Sequence, residues 1–152
     1  MSSLATTRAF RAVLVGAWAT YLSLVCLTNT FDGLKALDVL GDGFAFASGN
    51  WELLRETTGV YDTPTAIDAL LFAGVIAWEA LAAALFWLAL RGRVPVMAAA
   101  TVALGLWAAF IAADEIFLAY PIEGTHWRLF VALVVSVLAV RLLPDERPPA
   151  MR

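Results

Sequence analysis

Charged residues divide the chain into long apolar runs. The first run extends from Ala12 to Phe31, between Arg11 and Asp32. The second extends from Ala69 to Leu90, between Asp68 and Arg91, and only Glu79 interrupts it. The third begins at Val94, meets Asp114 and Glu115, and is expected to continue to Tyr120. The fourth, from about Trp127 to Leu143, carries Arg128 and Arg141 near its ends. A bilayer core about 30 Å thick needs about 20 apolar residues in a helix. The pattern therefore predicts an all-α membrane protein, with four transmembrane helices in a bundle spanning residues 12–31, 69–90, 94–120 and 127–143.

Between the first two spans lies a loop, 32–68, with a different texture. It is rich in Asp and Glu, with Lys35 and Arg55 as its cations. Asn50 is placed to cap a short interfacial helix starting at Trp51 and ending near Gly59. Trp51 and Leu54 would share one face of it, and Glu52 and Glu56 another. Arg8, Arg11, Arg91, Arg93, Arg141, Arg147 and Arg152 all fall on one side of a four-span topology. By the excess of Lys and Arg in cytoplasmic flanks, that side is the cytoplasm. The expectation is a multi-pass protein of the cell inner (plasma) membrane with both termini cytoplasmic. The basic flank and apolar run of the first span also fit a signal peptide, but the A-x-A sequence at Ala45–Ala47 lies far beyond that run, so no cleavage is expected. Residues 1–143 read as one transmembrane domain, and the Pro-rich, charged 144–152 as a disordered cytoplasmic tail.

Composition strengthens this picture and narrows the chemistry. Hydrophobic residues make up 62% of 152, against roughly 45–50% in soluble domains. A net charge of −3 disfavours a nucleic-acid partner. One cysteine, Cys26, excludes CxxC redox and metal sites. One histidine, His126, excludes a bis-histidine haem within a single chain. No cofactor and no catalytic residues are expected.

Glu79 poses the sharpest question. It lies roughly 16–18 Å along a helix from either Asp68 or Arg91, near the midplane. An ionised side chain there costs on the order of 2.5–3.5 kcal/mol. Such a residue should face the bundle interior and have a partner. Thr20, Tyr21 and Ser23 of the first span and Ser136 of the fourth fall at similar depth and are the candidate partners, with Glu79 as a neutral, hydrogen-bonded acid. Ala82 and Ala83, one turn later, would let a neighbouring helix come close. The structural reading is a tie between two spans. The functional reading is a proton or cation site.

A second cluster stands at the outer end of the last two spans. Asp114 lies about 31 Å along a helix from Arg93, at the far boundary. Asp114 and Arg128 flank Pro121 symmetrically, so an ion pair of Arg128 with Asp114 or Glu115 is expected to clamp the hairpin. Glu123 and His126 have the Glu-x-x-His spacing used by di-iron bundles. With Asp114 and Glu115 they form a weak candidate metal set, and Pro121 and Gly124 suggest a turn there rather than a helix. Gly105 and Ala109 form a small-xxx-small pair favouring close helix contact.

The sequences "NTFD" (Asn29 to Asp32), "EALAAAL" from Glu79, "EIF" (Glu115 to Phe117) and "WRLF" (Trp127 to Phe130) occur in this order. With them the chain resembles a bacterial family of predicted small integral membrane proteins with four spans. The resemblance implies the topology and an interest in Asn29 and Asp32 of the loop, Glu79, Glu115 and Arg128. It implies no reaction.

The leading expectation is a non-catalytic accessory or scaffold subunit of a larger membrane complex. Its partners would be the lipid bilayer and other membrane protein subunits, or a second copy of itself. The alternative is a small proton- or cation-linked transporter using Glu79. A third is a membrane enzyme with an outer-face metal site.

Overall fold

The computed structural model describes residues 3–41 and 43–143. The tail expected to be disordered, 144–152, lies outside the described residues. The elements are α1 (Ser3–Ala36), α2 (Asn50–Thr58), a 3₁₀ turn (Gly59–Tyr61), α3 (Thr65–Leu90), α4 (Val96–Ile116) and α5 (Tyr120–Leu142). The four long helices are each long and apolar enough to cross a membrane. The chain is an all-α, four-helix membrane bundle. Consecutive long helices run antiparallel. Arg8, Arg11, Arg91, Arg93 and Arg141 gather at one end, the basic end. The other carries α2 and the carboxylates.

Helix boundaries follow backbone chemistry more than charge. α1 continues through Asp32 and Lys35, and ends where Asp38 adopts φ 56° and Val39 N–H donates to Leu34 O at 2.9 Å. α3 ends in the same way, with Gly92 at φ 70° and Arg93 N–H donating to Leu88 O at 2.9 Å. These left-handed closures satisfy carbonyls that a helix end would leave orphaned. α4 stops at Ile116, short of the expected Tyr120, because Leu118 takes φ 56° and Ala119 N–H donates to Asp114 O at 2.7 Å. α5 begins at Tyr120, well before Trp127, with Pro121 in its first turn. A proline there lacks only an N–H that would be orphaned anyway, so it starts the helix instead of breaking it.

The core is built from small residues. Ala19, Ala82, Ala99, Ala100 and Ala103 have no exposed surface, and Leu22, Phe86, Leu106 and Leu133 fill the spaces between them. Large apolar side chains point outward instead: Leu70 and Val13 are 73% and 66% exposed. Gly105 brings α4 against α3, since a Cβ there would lie 3.2 Å from the Trp78 ring. Ala109, its expected companion, faces outward. α1 packs along α3, α3 on α4 and α4 on α5, while α1 and α5 barely touch. The four helices thus form a curved row with an open seam between the first and the last.

Candidate functional site

The acidic-end mouth holds a continuous buried polar network. Antiparallel packing brings Gly33 onto Phe72, and Trp87 Nε1–H donates to Ser23 Oγ at 3.0 Å. In this register the residue level with Glu79 is Asn29. The Asn29 amide donates to both Glu79 oxygens, at 2.8 and 2.9 Å. Its own carbonyl oxygen accepts from the Asn50 amide at 2.8 Å. Glu79 is 1% exposed and Asn29 2%. One α1 side chain therefore links the mid-helix acid of α3 to the first residue of α2.

A second strand of the network seats α2. Asp32 Oδ2 accepts from Trp51 N–H at 2.7 Å and from the Ser48 hydroxyl at 3.1 Å. Asn50 N–H donates to Ser48 Oγ at 3.1 Å. The first backbone donors of a helix have no partner within it, and its N-terminus attracts negative charge. Asp32 meets both needs from a different helix. The preceding residue, Gly49, takes φ 77°, which favours glycine. At the far end of α2, the Thr58 hydroxyl donates to Asp68 Oδ1 at 2.8 Å. Trp51 packs edge-on against Phe72, ring centroids 5.6 Å apart. The Tyr61 hydroxyl donates to Ile116 O at 2.8 Å, tying the 3₁₀ turn to α4.

Several expectations are corrected here. The partners of Glu79 are Asn29 and, through it, Asn50, rather than Thr20, Tyr21 and Ser23. Thr20 faces outward. The Tyr21 ring lies between Trp18 and Trp107, with centroids 5.9 and 6.5 Å away. Ser23 donates to Ala19 O of its own helix at 2.7 Å. The physical cause is the length of α1, which runs beyond Phe31 and so shifts the level of its midpoint. Asn29 and Asp32, expected in the loop, lie in the last turns of α1. Asn50 does not cap α2 with its side chain, which reaches down to Asn29 instead.

The outer cluster is also rearranged. His126 Nδ1 lies 2.6 Å from Asp114 Oδ2, and Asp114 is 3% exposed. The imidazole stacks on Phe110 at 4.7 Å and on Trp107 at 6.4 Å. Arg128 forms no ion pair with Asp114 or Glu115 among the described residues. Its guanidinium lies along its own helix, 3.7 Å from where a Cβ at Gly124 would sit. The helix that starts at Tyr120 turns His126, not Arg128, towards Asp114. Glu123 accepts from Trp127 Nε1–H at 2.9 Å, and Glu115 is exposed. Glu123, His126, Asp114 and Glu115 therefore do not converge on a common point. Among the described residues no three His, Cys, Asp or Glu are placed to hold a metal ion.

Sequence reasoning missed Ser48, Asn50 as a core ligand of Asn29, and the Thr58–Asp68 pair. The signal available was indirect: Asp68 bounds a span and Asn50 opens a helix, but neither fact says that the loop enters the bundle. Comparison with family models, with curated proteins and with solved structures finds no match for this chain.

Proposed function

We propose that the chain is a non-catalytic accessory or scaffold subunit that assembles with other membrane proteins. The observation that carries this reading is the state of Glu79. Its carboxyl group is enclosed and held by Asn29, which is held in turn by Asn50. The group is used to lock α1, α2 and α3 together. The polar side chains of the mouth are turned towards one another, and the apolar outer faces are left for lipid and partner helices. The exposed small face of Ala108, Ala109 and Ala112 on α4 would admit a neighbouring helix closely. The basic end holds the start of α1 and the end of α5, and in this reading it faces the cytoplasm of the cell inner membrane, by the Lys/Arg bias of its flanks.

The test is native mass spectrometry after mild-detergent extraction from the source membrane. A reproducible mass of this chain with larger subunits is expected. A lone chain, or a homo-oligomer alone, would overturn the assignment. One observation favours a second reading, proton-linked transport. The Glu79–Asn29–Asn50 chain runs from mid-helix to the loop without a break. Glu79→Gln in a liposome proton-flux assay separates the two, because a lock tolerates the amide and a carrier does not.

A further inference from the structure

The open seam between α1 and α5 widens at the basic end into a cleft of about 400 Å³. Its walls include Arg11 of α1, Pro95 and Val96 at the start of α4, and Val140 and Arg141 of α5. Three features there attract an anion. Arg11 and Arg141 have no side-chain hydrogen bond or ion pair among the described residues. The Arg11 Nε is buried and lacks an acceptor. The N-terminus of α4 opens on the same cleft with no side-chain cap and no acid in its first turn, and helix N-termini bind phosphate through free N–H groups and the macrodipole. Below the cleft the seam is closed by the buried Phe86 and Leu133, and its surface there is the half-buried apolar strip of Leu14, Trp18, Val137 and Val140. Cations above an apolar strip, at a helix end expected near a headgroup layer, match one kind of molecule.

We infer that the basic-end cleft holds an anionic phospholipid, its phosphate between Arg11 and Arg141 and one acyl chain lying over the apolar strip of Leu14 and Val137. The site is independent of the role proposed for the chain as a subunit. Each arginine near an anionic headgroup contributes roughly a fivefold gain in affinity, and the pair about twenty-five-fold. The full chain in mild detergent is titrated with dioleoylphosphatidylglycerol, dioleoylphosphatidylcholine or glycerol 3-phosphate, and adducts are counted by native mass spectrometry. Phosphatidylglycerol should bind about twenty-five-fold more tightly than phosphatidylcholine. Arg11→Gln and Arg141→Gln should each remove roughly fivefold of that preference. Arg91→Gln, at the same end but outside the cleft, should leave it unchanged. Neither arginine makes a side-chain hydrogen bond or ion pair that the glutamine would lose, and an unchanged thermal midpoint of each variant shows that the fold is kept. Equal binding of the two lipids would overturn the site, as would a preference that survives both arginine changes or falls equally with Arg91→Gln. Displacement of the lipid by glycerol 3-phosphate at comparable concentration would mark a soluble-anion site and overturn the lipid assignment.

Discussion

Asn29 is the residue on which the acidic-end mouth depends. It satisfies two other side chains at once, and both would be stranded without it. Asn29→Ala leaves the buried Glu79 carboxyl unpaired and takes its partner from the part-buried Asn50 amide. The expected loss is about 1–2 kcal/mol of stability. Glu79→Gln keeps an acceptor for Asn29 and should cost less. Thermal or steric-trap unfolding in bicelles measures both, and a double-mutant cycle of Asn29→Ala with Asn50→Ala gives their coupling. Equal stability of Asn29→Ala and the unmodified chain would mean that the network has no structural weight. Trp78 and Trp87 illustrate the same requirement at the lipid face. Each exposes its ring, yet donates its indole N–H inward, to Val102 O at 2.9 Å and Ser23 Oγ at 3.0 Å, because lipid offers no acceptor.

At the scale of elements, α2 is the case in which local propensity is not enough. A helix of 9 residues is too short to be stable alone. It is held at one end by Asp32, at the other by Thr58 on Asp68, and along its side by Trp51 on Phe72. Asp32→Ala removes the cap supplied by α1, worth about 1 kcal/mol. Hydrogen exchange should then rise across residues 48–58 while α1 and α3 keep their protection. Asp32→Asn, which retains an acceptor oxygen, should show a smaller rise. Unchanged exchange in Asp32→Ala would show that α2 is held by its side contacts alone. The α4–α5 hairpin follows a similar logic. A left-handed Leu118 closes one helix and Pro121 opens the next, which sets the rotation that brings His126 to Asp114.

For the whole molecule, the curved row of helices has two different ends. Substituted-cysteine labelling in a Cys26→Ala background checks the proposed orientation. A membrane-impermeant maleimide on intact cells should label Glu56→Cys at once and Arg91→Cys only after permeabilisation. The reverse pattern would place the arginines outside and overturn the orientation.

The sequence by itself determined that four apolar runs become four helices, and which charged residues lie at which end. Apolar length against bilayer thickness is a one-dimensional property, so it needs no tertiary information. It also showed that Glu79 requires a partner, because the cost of an isolated acid in lipid does not depend on the fold. Which partner it finds was decided only in three dimensions. Depth counted along Ala12–Phe31 pointed to Thr20, Tyr21 and Ser23. The true register depends on where α1 stops, and Asp38 in a left-handed conformation sets that point beyond the apolar run. Likewise, Pro121 and Gly124 read as a turn, because composition cannot tell a proline that ends a helix from one that begins it. The outer ion pair was assigned to Arg128 by symmetry about Pro121. Once Tyr120 starts the helix, rotation selects His126. The entry of Asn50 into the bundle and the seam left between α1 and α5 are long-range packing outcomes. No local pattern encodes them, because each depends on how far two helices distant in the chain are able to approach.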